Sequence, residues 1–137
     1  MNLIEWIELP NLGDHRGSLV VAEANRNISF SIQRLYYIFG AQPDVPRGFH
    51  AHKELQQIAF CIQGSCKILM KNGKEKQEVL IGQPNKGLFI PPMVWHEMHG
   101  FSEDCILLVL ASDHYDESDY IRNYDHFLEE ADKVVIE

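Results

Sequence analysis

Residues 64–81 read GSCKILMKNGKEKQEVLI and carry the clearest structural signal in the chain. Two strand-like segments, Ser65 to Met70 and Glu75 to Ile81, flank the dipeptide Asn72-Gly73. Asn-Gly between alternating segments is the strongest short-range signal for a β-hairpin, because both residues tolerate the backbone angles of a tight turn. The stretch therefore predicts two antiparallel strands joined by a turn.

The chain on either side repeats this pattern of short strands and turns. Strands that follow one another at intervals of about 8 to 12 residues, with turn residues between them, are typical of an antiparallel sandwich or barrel. We therefore predict an all-β body. The other predicted strands lie at residues 18–22, 34–39, 57–62, 87–90 and 105–111.

The end of the chain has a different periodicity, which indicates one α-helix. Five apolar or aromatic residues fall on one helical face, and Ser118 or Asp119 is suited to be the N-cap. We predict a single domain over residues 1–137, with a β-barrel over 1–112 and a helical tail over 113–137. The residues of the helical face are Tyr120, Ile121, Tyr124, Phe127 and Leu128.

The composition excludes several classes of function. The 137 residues include 12 Lys plus Arg and 20 Asp plus Glu, which gives a net charge of −8. An acidic chain without a basic cluster repels a polyanion, so nucleic acid is not an expected partner. A small anionic ligand remains possible, because one pocket needs only one or two arginines.

The cysteines and the apolar segments bear on location. Cys61, Cys66 and Cys105 are odd in number and form no C-x-x-C pair, which argues against a disulfide framework or a zinc knuckle. Buried, reduced thiols of a cytoplasmic protein are the simplest interpretation. No apolar run approaches the roughly 20 residues of a membrane span, and the first residues lack the basic start of a secretory signal. We expect a cytoplasmic protein with no membrane partner.

Three histidines carry the chemical signal. Residues 46–53 read PRGFHAHK, and His50 and His52 project from the same face of a strand because side chains alternate along it. Two imidazoles so placed either bind a metal or divide acid and base work between adjacent substrate atoms. His96, in the stretch PPMVWHEMH of residues 91–99, is the candidate third member.

This arrangement resembles the two motifs of the cupin superfamily. His50 and His52 match the first motif, and His96 with the preceding prolines matches the second. Gln56 stands where the metal-binding members have a glutamate, and a neutral amide is a poorer ligand for a transition metal. Glu54, two positions earlier, is the alternative carboxylate. We expect no bound metal.

A narrower resemblance covers nearly the whole chain: the sequence is similar to the dTDP-sugar 3,4-ketoisomerases. The resemblance implies a cupin-type antiparallel β-barrel (jelly roll), no metal requirement, and a homodimer with exchanged N-terminal strands. No cofactor is expected, because the sugar that this family isomerises already carries its carbonyl group. It implies the substrate dTDP-4-keto-6-deoxy-D-glucose and a place in the synthesis of deoxyamino sugars for O-antigens or S-layer glycans. The matching segments are residues 32–39, 46–53, 64–67, 94–99, 110–113 and 115–122.

The resemblance also implies catalytic roles. His52 is the candidate base for the C3 proton, and His50 the candidate for proton transfer at C4 or between the oxygens. Tyr37 is expected to relay or donate a proton, and Arg47 to stabilise the enediolate or hold the diphosphate. Which histidine performs which step stays open at this point.

Two positions distinguish branches of that family. Arg16 in the turn RGSL and His96 after Trp95 resemble the galacto-forming branch, so the expected product is dTDP-3-keto-6-deoxy-D-galactose. With Gln56, they are the expected substrate-binding residues. The alternatives are a gluco-configured 3-keto product, a metal-dependent cupin enzyme and a cupin that binds a nucleotide sugar without catalysis.

Overall fold

The computed structural model describes residues 2–136, with side chains as far as residue 133. Within this range the backbone forms ten strands, a 3-10 turn over Glu117–Asp119 and the C-terminal helix α1 (Tyr124–Ile136). The predicted all-β fold with a C-terminal helix is confirmed. The strands are β1 (Trp6–Glu8), β2 (Arg34–Ile38), β3 (Arg47–His52), β4 (Gln57–Gln63), β5 (Cys66–Lys71), β6 (Lys76–Ile81), β7 (Lys86–Ile90), β8 (Trp95–His99), β9 (Ile106–Ala111) and β10 (Tyr120–Ile121).

The strands form two five-stranded antiparallel sheets that pack against each other. One has the order β1-β7-β4-β9-β2 and the other the order β10-β3-β8-β5-β6. Alternate residues of each strand point inward, so Ala59 and Cys61 of β4 share one core with Ile68 and Met70 of β5. The core therefore lies between the sheets, and β3 and β8 place their inward residues at one end of it.

The β5–β6 hairpin forms where Asn72-Gly73 predicts it. Lys71 pairs with Lys76, so the connection has four residues. The Asn72 carboxamide oxygen accepts the N–H groups of Lys74 and Glu75 at 2.9 and 2.8 Å, and Gly73 has a φ of 97°. The asparagine side chain thus closes the loop that the sequence signals.

The tail corrects one prediction. The helix begins at Tyr124, where the Asn123 carboxamide oxygen accepts the N–H of His126 at 2.9 Å, rather than at Ser118 or Asp119. Residues 120 and 121 form β10 and pair with β3, because the Asp119 carboxylate binds groups on β3 and the following loop instead of capping a helix. Among the described residues, no helix has the length and apolarity to cross a membrane.

The segment between β1 and β2 corrects another prediction. Residues 18–22 do not form a strand; Val20 makes a single antiparallel bridge to Asn11. Leu12 and Leu19 in this segment are 61% and 51% exposed. Within the described residues, the apolar segment that predicts a strand here therefore pairs with no sheet edge.

Candidate active site

The three candidate histidines meet between β3 and β8. His50 lies directly opposite His96 in the strand register, and His52 follows two residues later on the same face. The ring centroid of His50 lies 4.9 Å from that of His52 and 4.5 Å from that of His96. The same-face prediction for the pair is therefore correct in geometry.

A β-bulge in β3 sets the orientation of His50. The register shifts between Gly48 and His50, and Gly48 and Phe49 both have positive φ values, 95° and 61°. A Cβ atom on Gly48 would lie 3.1 Å from the His96 carbonyl oxygen, so the position favours glycine. His50 Nδ1 donates to the Gly48 carbonyl oxygen at 3.1 Å, which leaves Nε2 with the free lone pair.

The other two histidines lie deeper. His52 is 3% exposed, and its Nδ1 lies 3.2 Å from Oδ2 of Asp119. His96 is 1% exposed, and both its ring nitrogens lack a hydrogen-bond partner among the described residues. Tyr120 of β10 covers the pair on β3, with its ring 4.9 Å from His50 and 4.3 Å from His52.

Burial keeps the three imidazoles neutral. Desolvation lowers the pKa of His50, although its hydrogen bond to Gly48 opposes the shift. Desolvation, and then the charge of His50, lower the pKa of His52 to about 4, against the raising effect of Asp119. Desolvation also sets the pKa of His96 well below 6.5. Near neutral pH each ring therefore keeps one basic nitrogen.

A cavity of about 290 Å³ opens beside His50. Three of the five arginines of this acidic chain line it, which makes it a favourable place for an anionic ligand. The hydroxyl of Tyr36 on one wall donates to Oε1 of Gln57 at 2.7 Å, and burial raises the pKa of Tyr36 to about 12. The lining residues are Arg34, Tyr36, Ile38, Arg47, Gly48, His50, Met98, Tyr120 and Arg122.

The structure places some predicted site residues in this cavity and others away from it. Arg47 and His50 line it, whereas His52 and His96 lie behind His50. Tyr37 lies on the outer face of β2 and is 58% exposed, so Tyr36 takes the wall position expected of its neighbour.

Gln56 and Arg16 do not line this cavity. The backbone of Gln56 pairs with Ser112, through its N–H to Oγ at 2.9 Å and its carbonyl oxygen to the Ser112 N–H at 3.0 Å. The buried amide near the site belongs instead to Gln57. The Arg16 side chain is 80% exposed and pairs with Asp14 at 2.7 Å, on the segment before β2.

Sequence reasoning missed several residues of this region. Arg34 and Tyr36 are two positions apart on β2, so their side chains lie on the same face of the strand. A search for polar residues at positions i and i+2, starting from an arginine, would therefore find this pair. The sequence does not indicate Tyr120 and Arg122 as cavity residues, because the apolar spacing of this region also fits a helix.

Sequence comparisons place the chain among known sugar-nucleotide isomerases. The model of the family described as "FdtA: WxcM-like, C-terminal" matches residues 2–132. A TDP-4-oxo-6-deoxy-alpha-D-glucose-3,4-oxoisomerase of Aneurinibacillus thermoaerophilus is 51% identical over 131 residues, which cover 96% of this chain and 94% of that protein.

Solved structures give the same result. QdtA, a sugar 3,4-ketoisomerase of Thermoanaerobacterium thermosaccharolyticum in complex with TDP, superposes with a TM-score of 0.93 at 45% identity, over 95% of each chain. A 3,4-ketoisomerase of Helicobacter canadensis superposes with a TM-score of 0.92 at 44% identity, over 95% of this chain and 98% of that chain. The predicted cupin-type barrel is thereby confirmed.

Two variants of QdtA are also similar to this chain. A histidine-to-asparagine variant in complex with TDP-4-keto-6-deoxyglucose has a TM-score of 0.95 at 42% identity, over 100% of this chain and 99% of that chain. A double variant, tyrosine to arginine and arginine to histidine, is in complex with TDP and has a TM-score of 0.95 at 44% identity over the same shares.

Proposed function

The chain belongs to the FdtA family and is an isomerase of the 3,4-ketoisomerase type, and from this premise we propose that it acts on TDP-4-keto-6-deoxy-D-glucose. The proposed product is the 3-keto-6-deoxyhexose of the same nucleotide, a step toward deoxyamino sugars. The observation that carries the proposal is a neutral, cavity-facing imidazole, His50, beside three arginines.

The reaction defines what the cavity has to supply. A base removes the proton from C3, the electron pair forms an enediolate with the C4 carbonyl, and a proton is delivered to C4. The C3 hydroxyl loses its proton and the C4 oxygen gains one, so no electrons leave the sugar. The step needs a base, a proton donor and hydrogen bonds to the developing oxyanion, and it calls for no redox cofactor.

His50 is the proposed C3 base. It lines the cavity, whereas His52 is almost fully buried, and its hydrogen bond to Gly48 leaves the lone pair on Nε2. The QdtA variants support this choice. In QdtA the replaced histidine lies 51 − 17 = 34 positions after the replaced tyrosine, and here His50 lies 50 − 16 = 34 positions after Arg16.

The arginines are the proposed anion-binding groups. Arg34, Arg47 and Arg122 line the cavity, and Nε of Arg34 is buried without a hydrogen-bond partner among the described residues. Guanidinium groups bind phosphate oxygens through pairs of charge-assisted hydrogen bonds. We assign them to the diphosphate, with Arg47, next to the bulge that holds His50, also able to stabilise the enediolate.

The remaining proton-handling groups lie on the walls. The Tyr36 phenol is protonated at neutral pH, and burial raises its pKa further, so it can exchange hydrogen bonds with a sugar hydroxyl without ionising. It replaces Tyr37 in the proposed mechanism. His52, behind His50, is the proposed second imidazole, for transfer between the two oxygens.

The proposed product has the galacto configuration at C4. The double variant of QdtA exchanges a tyrosine for arginine and an arginine for histidine, 97 − 17 = 80 positions apart. Arg16 and His96 are an arginine and a histidine at the same separation, 96 − 16 = 80. The natural residues here are thus the types that the variant introduces.

A homodimer with exchanged N-terminal strands is part of the proposal. The exposed Leu12 and Leu19 support it, as does the exposed side chain of Arg16, which pairs with Asp14. In such a dimer Arg16 would lie against the partner's cavity. Light scattering should give a mass near twice 15.8 kDa.

Proton NMR of the purified protein with TDP-4-keto-6-deoxyglucose in deuterated water tests the function. We expect loss of the C3 proton signal and growth of a 3-keto sugar whose C4 hydroxyl is axial. A 3-keto product with an equatorial C4 hydroxyl would contradict the proposed galacto configuration and leave the proposed isomerase activity standing. Binding without any C3 exchange would replace the isomerase by a nucleotide-sugar-binding protein.

A further inference from the structure

Asp119 makes a set of contacts that the isomerase proposal does not yet use. Its Oδ2 lies 3.2 Å from Nδ1 of His52. Its Oδ1 accepts the N–H of Glu54 at 2.8 Å, and Oδ2 also accepts the N–H of Leu55 at 3.3 Å. The Asp119 carbonyl oxygen accepts the N–H of Lys53 at 2.9 Å. The residue therefore joins the end of β3 to the segment before β10.

These contacts fix the carboxylate independently of His52. Two backbone N–H groups hold its oxygens, and the pairing of Tyr120 with His52 in the β10–β3 ladder holds its backbone. Its partner, with a 3% exposed ring, has little freedom to turn away. The geometry is that of a preset acceptor facing one nitrogen of a histidine.

A carboxylate can only accept hydrogen bonds, so it selects the tautomer of His52. Nδ1 must carry the proton, and Nε2 must carry the lone pair. Without the carboxylate, burial would leave the ring neutral with no preference enforced at Nδ1. The other groups that face this ring are His50, His96, Tyr120 and Arg34.

We propose that Asp119 is a positioning residue, which holds His52 in the Nδ1–H tautomer so that Nε2 can accept a proton during the isomerisation. The role in turnover rests on the proposed function, whereas the tautomer is a property of the protein alone. Asp119 is not one of the residues that line the cavity beside His50, and it acts through His52.

The variant Asp119→Asn reverses the selection. The Glu54 N–H at 2.8 Å makes a shorter contact than the Leu55 N–H at 3.3 Å, so we expect the asparagine oxygen to take the place of Oδ1 and its NH₂ group to face His52 Nδ1 and the Leu55 N–H. A donor at that point forces Nδ1 to accept and moves the proton to Nε2. Loss of a tautomer-fixing carboxylate costs about 10⁴-fold in kcat in other histidine enzymes. We expect a loss of about 10²- to 10⁴-fold in kcat with KM changed less than about threefold.

Asp113→Asn is the matched control. It removes the same charge from the neighbouring loop, where the carboxylate accepts from Ser112 Oγ at 3.0 Å and forms no ion pair with a histidine of the described residues. We expect this variant to keep wild-type kcat. An equal loss in both variants would show that net charge, rather than the tautomer, matters, and would overturn the proposal.

Long-range ¹H–¹⁵N NMR of the imidazoles measures the tautomer directly. We expect His52 to be protonated on Nδ1 in the wild type and on Nε2 in Asp119→Asn. A wild-type protein with the proton on Nε2 overturns the proposal, even if the variant does not fold. A folded variant with wild-type kcat overturns it as well. If the wild type shows the Nδ1–H tautomer but no isomerase activity, the proposed function fails while the positioning contact stands.

Discussion

Two clusters of three side chains lie in this barrel, and they have opposite surroundings. In each, the potential ligand atoms lie within 4.8 Å of one another. The thiols are sealed in the apolar core, with Sγ of one cysteine 3.7 Å from both others, whereas the imidazoles open on a cavity and have a carboxylate beside them. The histidine cluster is His50, His52 and His96, and the cysteine cluster is Cys61, Cys66 and Cys105.

Proximity alone therefore does not make a reactive site. The hydrogen bond with Cys66 and then burial raise the pKa of Cys61, and burial raises the pKa of Cys105 to about 12, so these two thiols stay protonated and inert. Burial lowers the pKa of the imidazoles, and that leaves their basic form in place at neutral pH. Desolvation thus keeps Cys61 and Cys105 in their unreactive thiol form and keeps the three histidines in their basic, neutral form.

Within the two clusters, the largest expected effect is that of replacing His50. We expect His50→Asn to lower kcat by about 10³-fold, the scale of a lost general base, with KM within about threefold, because a carboxamide has no basic nitrogen. Exchange of the C3 proton in deuterated water measures it. His126→Gln, an exposed histidine on α1, should keep full activity. More than a tenth of wild-type turnover in the first variant would remove His50 as the base.

Acid should destabilise the protein through the same cluster. The unfolded histidines have pKa values near 6.5, and the folded values are lower, so the unfolded state binds more protons in between. Stability is therefore complete above pH 6.5 and falls as the pH drops toward 4. At pH 5 the lowered pKa of His52 alone should reduce the free energy of unfolding by about 2 kcal/mol relative to its value well above pH 6.5.

Urea unfolding at pH 7.5, 6 and 5 measures this loss. His126→Gln should follow the wild-type trend, because that histidine is exposed. A midpoint that stays constant from pH 7.5 to 5 would mean that the buried rings accept protons in the folded state.

The cysteine cluster should affect stability without affecting turnover. Cys61 is fully buried, so Cys61→Ser places a hydroxyl in the apolar core and should cost roughly 1–2 kcal/mol of unfolding free energy. Turnover by the folded variant should equal that of the wild type. Cys61→Ala separates the loss of volume from the added polarity. A kcat lowered tenfold in folded Cys61→Ser would give the thiols a functional role.

The smallest expected effect is that of chelation. The proposed reaction uses the imidazoles as bases, so dialysis against EDTA should leave turnover unchanged. The three rings are close enough to hold a metal ion, and this makes the measurement informative. Activity that is lost on dialysis and restored by manganese, iron or zinc would establish the metal-dependent alternative.

Local signals in the sequence predict most of the fold. The hairpin at Asn72-Gly73 and the strand that becomes β9 depend on turn chemistry and on apolar runs, which the sequence displays directly. The segment 18–22 has the same kind of signal, but it pairs with no strand in the part of the chain that the structure describes, so the residue pattern alone does not produce a strand there.

The site was predictable only where side-chain alternation could be fixed. His50 and His52 share a face by their spacing, and that prediction held. Tyr36 and Tyr37 are adjacent residues of the same type, and only the packing of β2 decides which one lines the cavity. Asp119 could not be found, because its partner lies 67 positions away and its local context favoured a helix cap.

The bulge at Gly48 and Phe49 has one more consequence. Arg47 and His50 are three positions apart, an odd interval that would put them on opposite sides of a regular strand, yet both line the cavity. The extra residue of the bulge reverses the alternation of side chains, so that the Arg47 cation and the His50 base lie on the same side of β3. Loss or gain of a single residue between them would separate the two functions, so the length of this short interval should be as restricted as its composition.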